Sequence, residues 1–394
     1  MRKMAPARFS DSRRRLLQGI AGAAALGLLP RAIRARGDCP GAWPAWQVFA
    51  GQHIQPDGRV IDFSTPDRRS TSEAQAYALF FALVANDPAR FDRLLGWTRD
   101  NLCGGRPDQH LPAWLWGHDV KRQAWQVLDA NPASDADLWL AYALLEAGRL
   151  WHRPALAQSG RQVLRLVREQ EIAELPGFGA MLLPGPQGFA GGGRWRLNPS
   201  YLPLQLLRRF AAVDPAGPWR GLAGRTPAMI ARAAPAGFAP DWVVWNGKDF
   251  VADPDTHGVG SYDAIRVYLW AGMLPAAEPL RAPLLKALGG PLRMLERDGR
   301  FAEKIDTRDG RGQGTPSFGF AAALLPYLQA QGRPALLAAQ RTAIPAPSAP
   351  VQGEPPYYAR VLALFGTGWL EGRYRFAADG RLLPGWHTGC PAAG

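Results

Sequence analysis

Three acidic residues in this chain share an unusual setting, each standing at or near the start of a strongly apolar, aromatic run with helical spacing. Glu73 lies in Thr71-Ser72-Glu73-Ala74-Gln75-Ala76-Tyr77, Asp135 in Ala133-Ser134-Asp135-Ala136-Asp137 ahead of Leu138 to Trp151, and Asp263 in Ser261-Tyr262-Asp263-Ala264-Ile265-Arg266. A pair of carboxyl groups in an aromatic groove is what hydrolysis of a glycosidic bond needs. One, kept protonated by burial, gives its proton to the leaving oxygen; the other, ionised, activates water or attacks carbon. Arg266, one turn after Asp263, is placed to hold that carboxylate ionised and oriented.

Taken singly, each acid has a plainer role. Helix starts attract acids because their first N–H groups lack partners, so Ser134 or Asp135 is expected to cap the helix that follows. A cap accounts for one acid there and leaves Asp137, inside the first turn, unaccounted for. Arg266 alone would be an ordinary ion pair. Three such acids, on helices that a closed barrel would set side by side with their starts at one end, make a site.

Other chemistry is poorly represented. His110, His118 and His257 show no metal-ligand spacing and no His-Glu-x-x-His pattern. There is no Gly-x-Ser-x-Gly elbow, and Gly191-Gly192-Gly193 lacks the Lys-Ser/Thr of a phosphate loop, so it reads as a hairpin turn. No metal or cofactor is expected.

The elements that must position these acids are helices. Helical periodicity recurs over 42–54, 72–86, 88–103, 134–151, 154–170, 199–211, 216–233, 260–273, 278–297, 316–331, 333–343 and 356–371. Short joints such as Asn86-Asp87-Pro88 and Arg153-Pro154 start the next helix with proline and make its neighbour antiparallel. The expectation is one all-α domain of about a dozen helices stacked as hairpins, with apolar inner helices at 72–86 and 134–151 and an amphipathic outer one at 154–170. Extended pieces are few: 179–183 with 194–197, and 373–376 before 381–383, read as small β-hairpin decorations. The 15 Trp residues are expected in large part to line a groove, where a flat apolar ring stacks on sugar.

The net charge is +13, but residues 1–38 carry nine Lys or Arg against Asp11 and Asp38, leaving +6 thinly spread over the rest. No basic run with interleaved aromatics follows, so nucleic acid is not an expected partner. Arg13-Arg14-Arg15 leads into the short apolar run Gly19 to Leu29 and then Pro30, which reads as an export signal over 1–35, twin-arginine-like, too short to span a bilayer. Residues 36–394 are then the mature, periplasmic or secreted protein, with no stable membrane span. In that oxidising setting Cys39 and Cys390 are candidates for a disulfide joining the two ends, with Cys103 left over.

The stretch from Ala133 to Trp151 resembles the signature of glycoside hydrolase family eight: Ala, Ser or Thr, Asp, Ala or Gly, Asp, then an apolar helix and Trp, with Leu140 where Ile or Met is usual. The similarity runs over nearly the whole mature chain through Cys39 to Trp46, Thr71-Ser72-Glu73, Leu111 to Gly117, Asn198-Pro199-Ser200-Tyr201 and Ser261 to Tyr268; Ala74 replaces the usual glycine. It is closest to the branch of periplasmic endoglucanases that accompany bacterial cellulose synthases. The resemblance implies an (α/α)6 barrel that cleaves internal β-1,4-glucosidic bonds with inversion. By the same resemblance Glu73 is the general acid and Asp263 the general base. Asp135 grips the sugar and orients water, Tyr201 and Arg266 support the base, and Trp114 and Trp116 are stacking platforms. The implied partners are a β-1,4-glucan chain and the cellulose synthase or export machinery. Competing readings are an idle glucan-binding or assembly protein, or the same fold acting on chitosan, xylan or mixed-linkage glucan.

Overall fold

A computed structural model describes residues 42–349 and 353–387. Among these, thirteen α-helices alternate between an outer and an inner layer. The outer set is α1 (Pro44–His53), α3 (Pro88–Asn101), α5 (Pro154–Gln170), α7 (Trp219–Ala233), the consecutive pair α9 (Arg281–Ala287) and α10 (Gly290–Asp298), and α12 (Pro334–Thr342). The inner set is α2 (Ser72–Val84), α4 (Ser134–Leu150), α6 (Leu204–Val213), α8 (Ala264–Met273), α11 (Phe318–Ala330) and α13 (Tyr357–Leu370). Each inner helix packs on the next, α2 on α4, α4 on α6, α6 on α8, α8 on α11 and α11 on α13. Phe80 and Phe81 of α2 meet Phe365 of α13 and close the ring. Six outer and six inner members make the expected (α/α)6 barrel.

Sequence dictates the layers. In α2 every residue but Glu73 is buried, in α4 every residue but Arg149, and α8 is buried throughout, as an apolar helix inside a core must be. In contrast, α5 buries one stripe, and α12 buries nothing. Two expected helices are interrupted, in both cases by proline. Pro291 cannot continue a helix from the preceding turn, so 278–297 breaks at Leu288 and Gly289. Pro203 disfavours helical geometry at Leu202, so 199–211 becomes a 3-10 turn (Pro199–Tyr201) followed by α6.

The decorations differ from expectation in their partners. Gly179–Leu182 pairs with Ile172–Leu175 rather than with Arg194–Leu197, which instead joins a four-stranded sheet with Val243–Trp245. A short turn, with Phe178 N donating to Leu175 O at 3.0 Å, closes the first hairpin locally. The glycine run does form a hairpin turn, with Gly192 and Gly193 at φ 57° and 72°. The pairing of Tyr374–Phe376 with Leu382–Pro384 is as expected.

The tryptophans also correct the expectation, since eight of the fifteen, among them Trp46, Trp139, Trp219 and Trp270, are buried in the core. Trp139, Trp270, Phe80 and Phe365 meet at centroid distances of 4.9–5.6 Å along the barrel axis and fill it beneath the mouth. Cys39 and Cys390 lie outside the described residues; Cys103 is a buried free thiol whose pKa burial pushes up to about 12. Among the described residues no helix is long and apolar enough to cross a membrane, and no group of His, Cys, Asp or Glu is arranged to hold a metal ion.

Candidate active site

All inner helices run the same way, so α2, α4 and α8 present their first turns at one mouth of the barrel. Glu73 is in the first turn of α2, which Thr71 caps by accepting a hydrogen bond from Ala74 N at 3.1 Å. The Ala74 methyl is accommodated in the core. The expected cap of α4 is absent: the capping position is Ala133, and Ser134 N donates to Pro184 O instead. Asp135 and Asp137 both lie within the first turn rather than at the capping position. Trp114 ties these two starts together through its backbone, its carbonyl accepting from Ser72 N at 2.9 Å and its N–H donating to Asn131 O at 3.1 Å.

Arg266 is the hub. Its guanidinium is buried, with Nη2 donating to Asp263 Oδ1 at 2.6 Å and to Ser200 Oγ at 2.9 Å. Nη1 donates to Tyr77 OH at 3.1 Å and lies 3.3 Å from Asp135 Oδ2, while the plane sits 5.6 Å over the Tyr201 ring. One cation thus bridges the carboxylates of α4 and α8 and touches the turn before α6. The spacing of Asp263 and Arg266 in sequence foretold one of these contacts; the link to Asp135 needed the fold.

The three acids have different surroundings. Asp263 is about one-third exposed and carries the short bond from Arg266. Asp135 is almost wholly buried; its Oδ1 accepts from Ala136 N at 2.9 Å and its Oδ2 lies 3.5 Å from Tyr77 OH. Burial, then the charge of Glu73, push its pKa up to about 8, with Arg266 pulling the other way. Burial is also the chief cause that raises Glu73, opposed first by Arg266, and Glu73 Oε2 has no hydrogen-bond partner. Two carboxyls in so dry a corner do not both ionise. Arg266, Ala136 N and the Tyr77 hydroxyl lie within reach of Asp135, whereas Glu73 Oε2 has no donor.

Behind Asp135 stands a second acid pair that the sequence did not announce. Asp137 and Glu171 are fully buried beside each other, and no hydrogen-bond donor reaches any of their four oxygens. Burial is the chief cause that raises both well above their ordinary values, which favours a protonated pair.

The aromatic residues divide into packed and open rings. Trp116 is enclosed by Trp97, Trp125 and the Arg59 guanidinium, at 5.4, 5.3 and 4.2 Å, so the more open ring of that hairpin is Trp125. Trp114 is half-buried against the core. Tyr201 meets Trp242 edge-on at 6.1 Å, and Trp242 is covered by Arg196 at 4.2 Å and stacked on Phe189. Trp242, Tyr77, Ser200 and Tyr358, whose hydroxyl donates to Tyr262 O at 2.7 Å, were not singled out from sequence. Tyr77 alone had a signal, lying one turn after Glu73 on the same face of α2.

With this geometry in place, comparison with known proteins gives consistent results. A sequence profile described as Glycosyl hydrolases family 8 matches residues 34–372. The chain is 61% identical to a protein named endoglucanase from Xanthomonas axonopodis pv. citri, over 97% of this chain and 99% of that one. It is 43% identical to an endoglucanase of Escherichia coli K12, over 88% and 92% of the two chains. The crystal structure of an endo-1,4-D-glucanase from Vibrio fischeri superposes with a TM-score of 0.80 at 41% identity, covering 87% of this chain and 99% of that one.

Proposed function

The chain belongs to glycosyl hydrolase family 8, and from that premise we propose that it is an endo-β-1,4-glucanase acting by inversion. Glu73 is the general acid, giving its proton to the glycosidic oxygen as the bond from that oxygen to the anomeric carbon breaks. Asp263 is the general base, taking a proton from a water that attacks the same carbon from the opposite face. Asp135 holds the sugar at the cleavage point. Arg266 and Tyr201 orient base and water, and Trp114 and Trp116, the latter backing the more open Trp125, flank the path of the glucan.

The observation that carries this reading is the unequal supply of donors to the three acids around Arg266. One cation pairs with Asp263 and Asp135, whereas Glu73 keeps a buried oxygen, Oε2, without any donor to stabilise its anion. An acid and a base are thereby set apart at one mouth. The test is product analysis on a panel of β-glucans with wild type and Asp263→Asn. Release of mixed-length cello-oligosaccharides by wild type alone supports the assignment; full activity in Asp263→Asn would remove the base.

Residues 1–35 direct export, and the enzyme works in the periplasm or outside the cell beside the cellulose synthase machinery. The support is the basic, then apolar, then small-residue order of the leader together with the resemblance in the mature chain. A reporter fused after residue 40 is expected outside the cytoplasm, and changing Arg13 and Arg14 to Lys is expected to retain it inside if the twin-arginine route is used.

A further inference from the structure

The helix that carries Asp263 has no capping side chain of its own. Its first N–H groups are satisfied from another segment: Asp241 Oδ1 accepts from Ser261 N at 2.7 Å, from Asp263 N at 3.1 Å and from Ala264 N at 2.7 Å. One carboxylate oxygen therefore fixes the backbone on both sides of Asp263 and at Asp263 itself. The segment holding Asp241 is in turn held hard against this start. Asp241 N donates to Val259 O at 2.9 Å, and Ala239 N donates to the Tyr268 hydroxyl, on α8, at 2.8 Å. Gly260 approaches the Ala239 carbonyl so closely that a Cβ there would lie 2.2 Å from its oxygen. The two stretches interlock, and only glycine fits at the crossing.

We propose that Asp241 is the positioning residue of the base, setting the placement of the Asp263 carboxylate by clamping the backbone of residues 261–264. This rests on the reading of Asp263 as the base. Without Asp241 the N–H groups of Ser261, Asp263 and Ala264 would turn to water, leaving this stretch to anchors in its first half, Ser261 Oγ on Glu303 O and the Tyr358 hydroxyl on Tyr262 O. Arg266 fixes just one oxygen of the Asp263 side chain, so the direction of the other depends on where the backbone stands. A displacement of about 1 Å at a reacting group costs up to ~10²-fold in rate.

The experiment compares kcat and KM on soluble carboxymethylcellulose for Asp241→Ala, Asp241→Glu, Asp241→Asn, Asp263→Asn and the double variant Asp241→Ala/Asp263→Asn. Asp241→Ala and Asp241→Glu are expected to lower kcat by about 10- to 100-fold with KM within about twofold. Asp241→Asn keeps an acceptor oxygen in place and is expected to recover most of kcat. In the Asp263→Asn background the second change should cost nothing more. Normal kcat in a folded Asp241→Ala or Asp241→Glu overturns the proposal, as does a loss that adds in full to that of Asp263→Asn. Should the alanine variant fail to fold, Asp241→Glu carries the test. If Asp263→Asn is itself active, the base assignment fails first, and the two failures are distinguished.

Discussion

The two ends of α4 treat buried carboxyl groups in opposite ways. At its C-terminal end Glu146 is fully buried yet completely partnered: Oε1 takes Arg209 Nε at 2.5 Å, and Oε2 takes Arg149 Nη2 at 2.5 Å and Leu382 N at 2.8 Å. At its N-terminal end Asp135 has partial support, and Asp137 has only another acid, Glu171. An acid that only holds structure is surrounded by donors that fix its charge, whereas acids that handle protons sit where their charge is costly. The same helix therefore carries a fully paired acid at one end and poorly supported acids at the other, and variants at the two ends should lose different properties.

The largest effect is expected beside the start of α4, on its neighbour α2. Glu73→Gln removes the leaving-group proton and should lower kcat by about 10²–10⁴-fold, with oligosaccharide affinity and melting temperature unchanged. Retention of a tenth of wild-type activity would show that the acid lies elsewhere. Glu146→Ala reverses the pattern. Two arginines lose their counter-ion inside the barrel, and stability should fall by about 3–5 kcal/mol, read by urea denaturation, with kcat normal wherever the enzyme remains folded. Asp135→Asn should lower kcat strongly and weaken binding at the cleavage subsite without loss of thermal stability. Normal kinetics with a melting temperature several degrees lower would make Asp135 a structural acid like Glu146.

The smallest effect is in the pH dependence of stability. Asp137 and Glu171 titrate far above the carboxylate range when folded, so the native state binds a proton that the unfolded state releases near pH 4. Stability contributed by that proton is complete below about pH 4 and declines as pH rises toward the folded pKa, at about 1.4 kcal/mol per pH unit per proton. Asp137→Asn no longer needs the shared proton. Between pH 5 and 8 its stability should fall less steeply than that of wild type; parallel curves would mean that the pair holds no proton.

Much of the barrel was legible because α2, α4, α8 and α11 are apolar on almost every face, which sets them apart from the amphipathic helices around them. The acids were legible because each opens a run that is otherwise apolar and aromatic, as Glu73 does ahead of Tyr77 to Val84. What could not be read is whatever depends on residues far apart in sequence. Asp241 sits in a loop of ordinary composition and becomes meaningful only when Gly260 lets that loop cross the start of α8. Glu171 ends a helix and looks like any surface acid until Asp137 is found against it. The tryptophans misled for a related reason, since a closed ring of twelve helical members has an axis wide enough to need large rings as filling, and composition does not separate filling from platform.

The most direct test is NMR of the anomeric protons during the first minutes of cello-oligosaccharide hydrolysis, before mutarotation mixes the products. With Glu73 as acid and Asp263 activating water on the opposite face, the new reducing end must appear first as the α-anomer. A β-anomer appearing first, or a sugar found covalently attached to Asp263 by mass spectrometry, would contradict the division of roles among Glu73, Asp135 and Asp263.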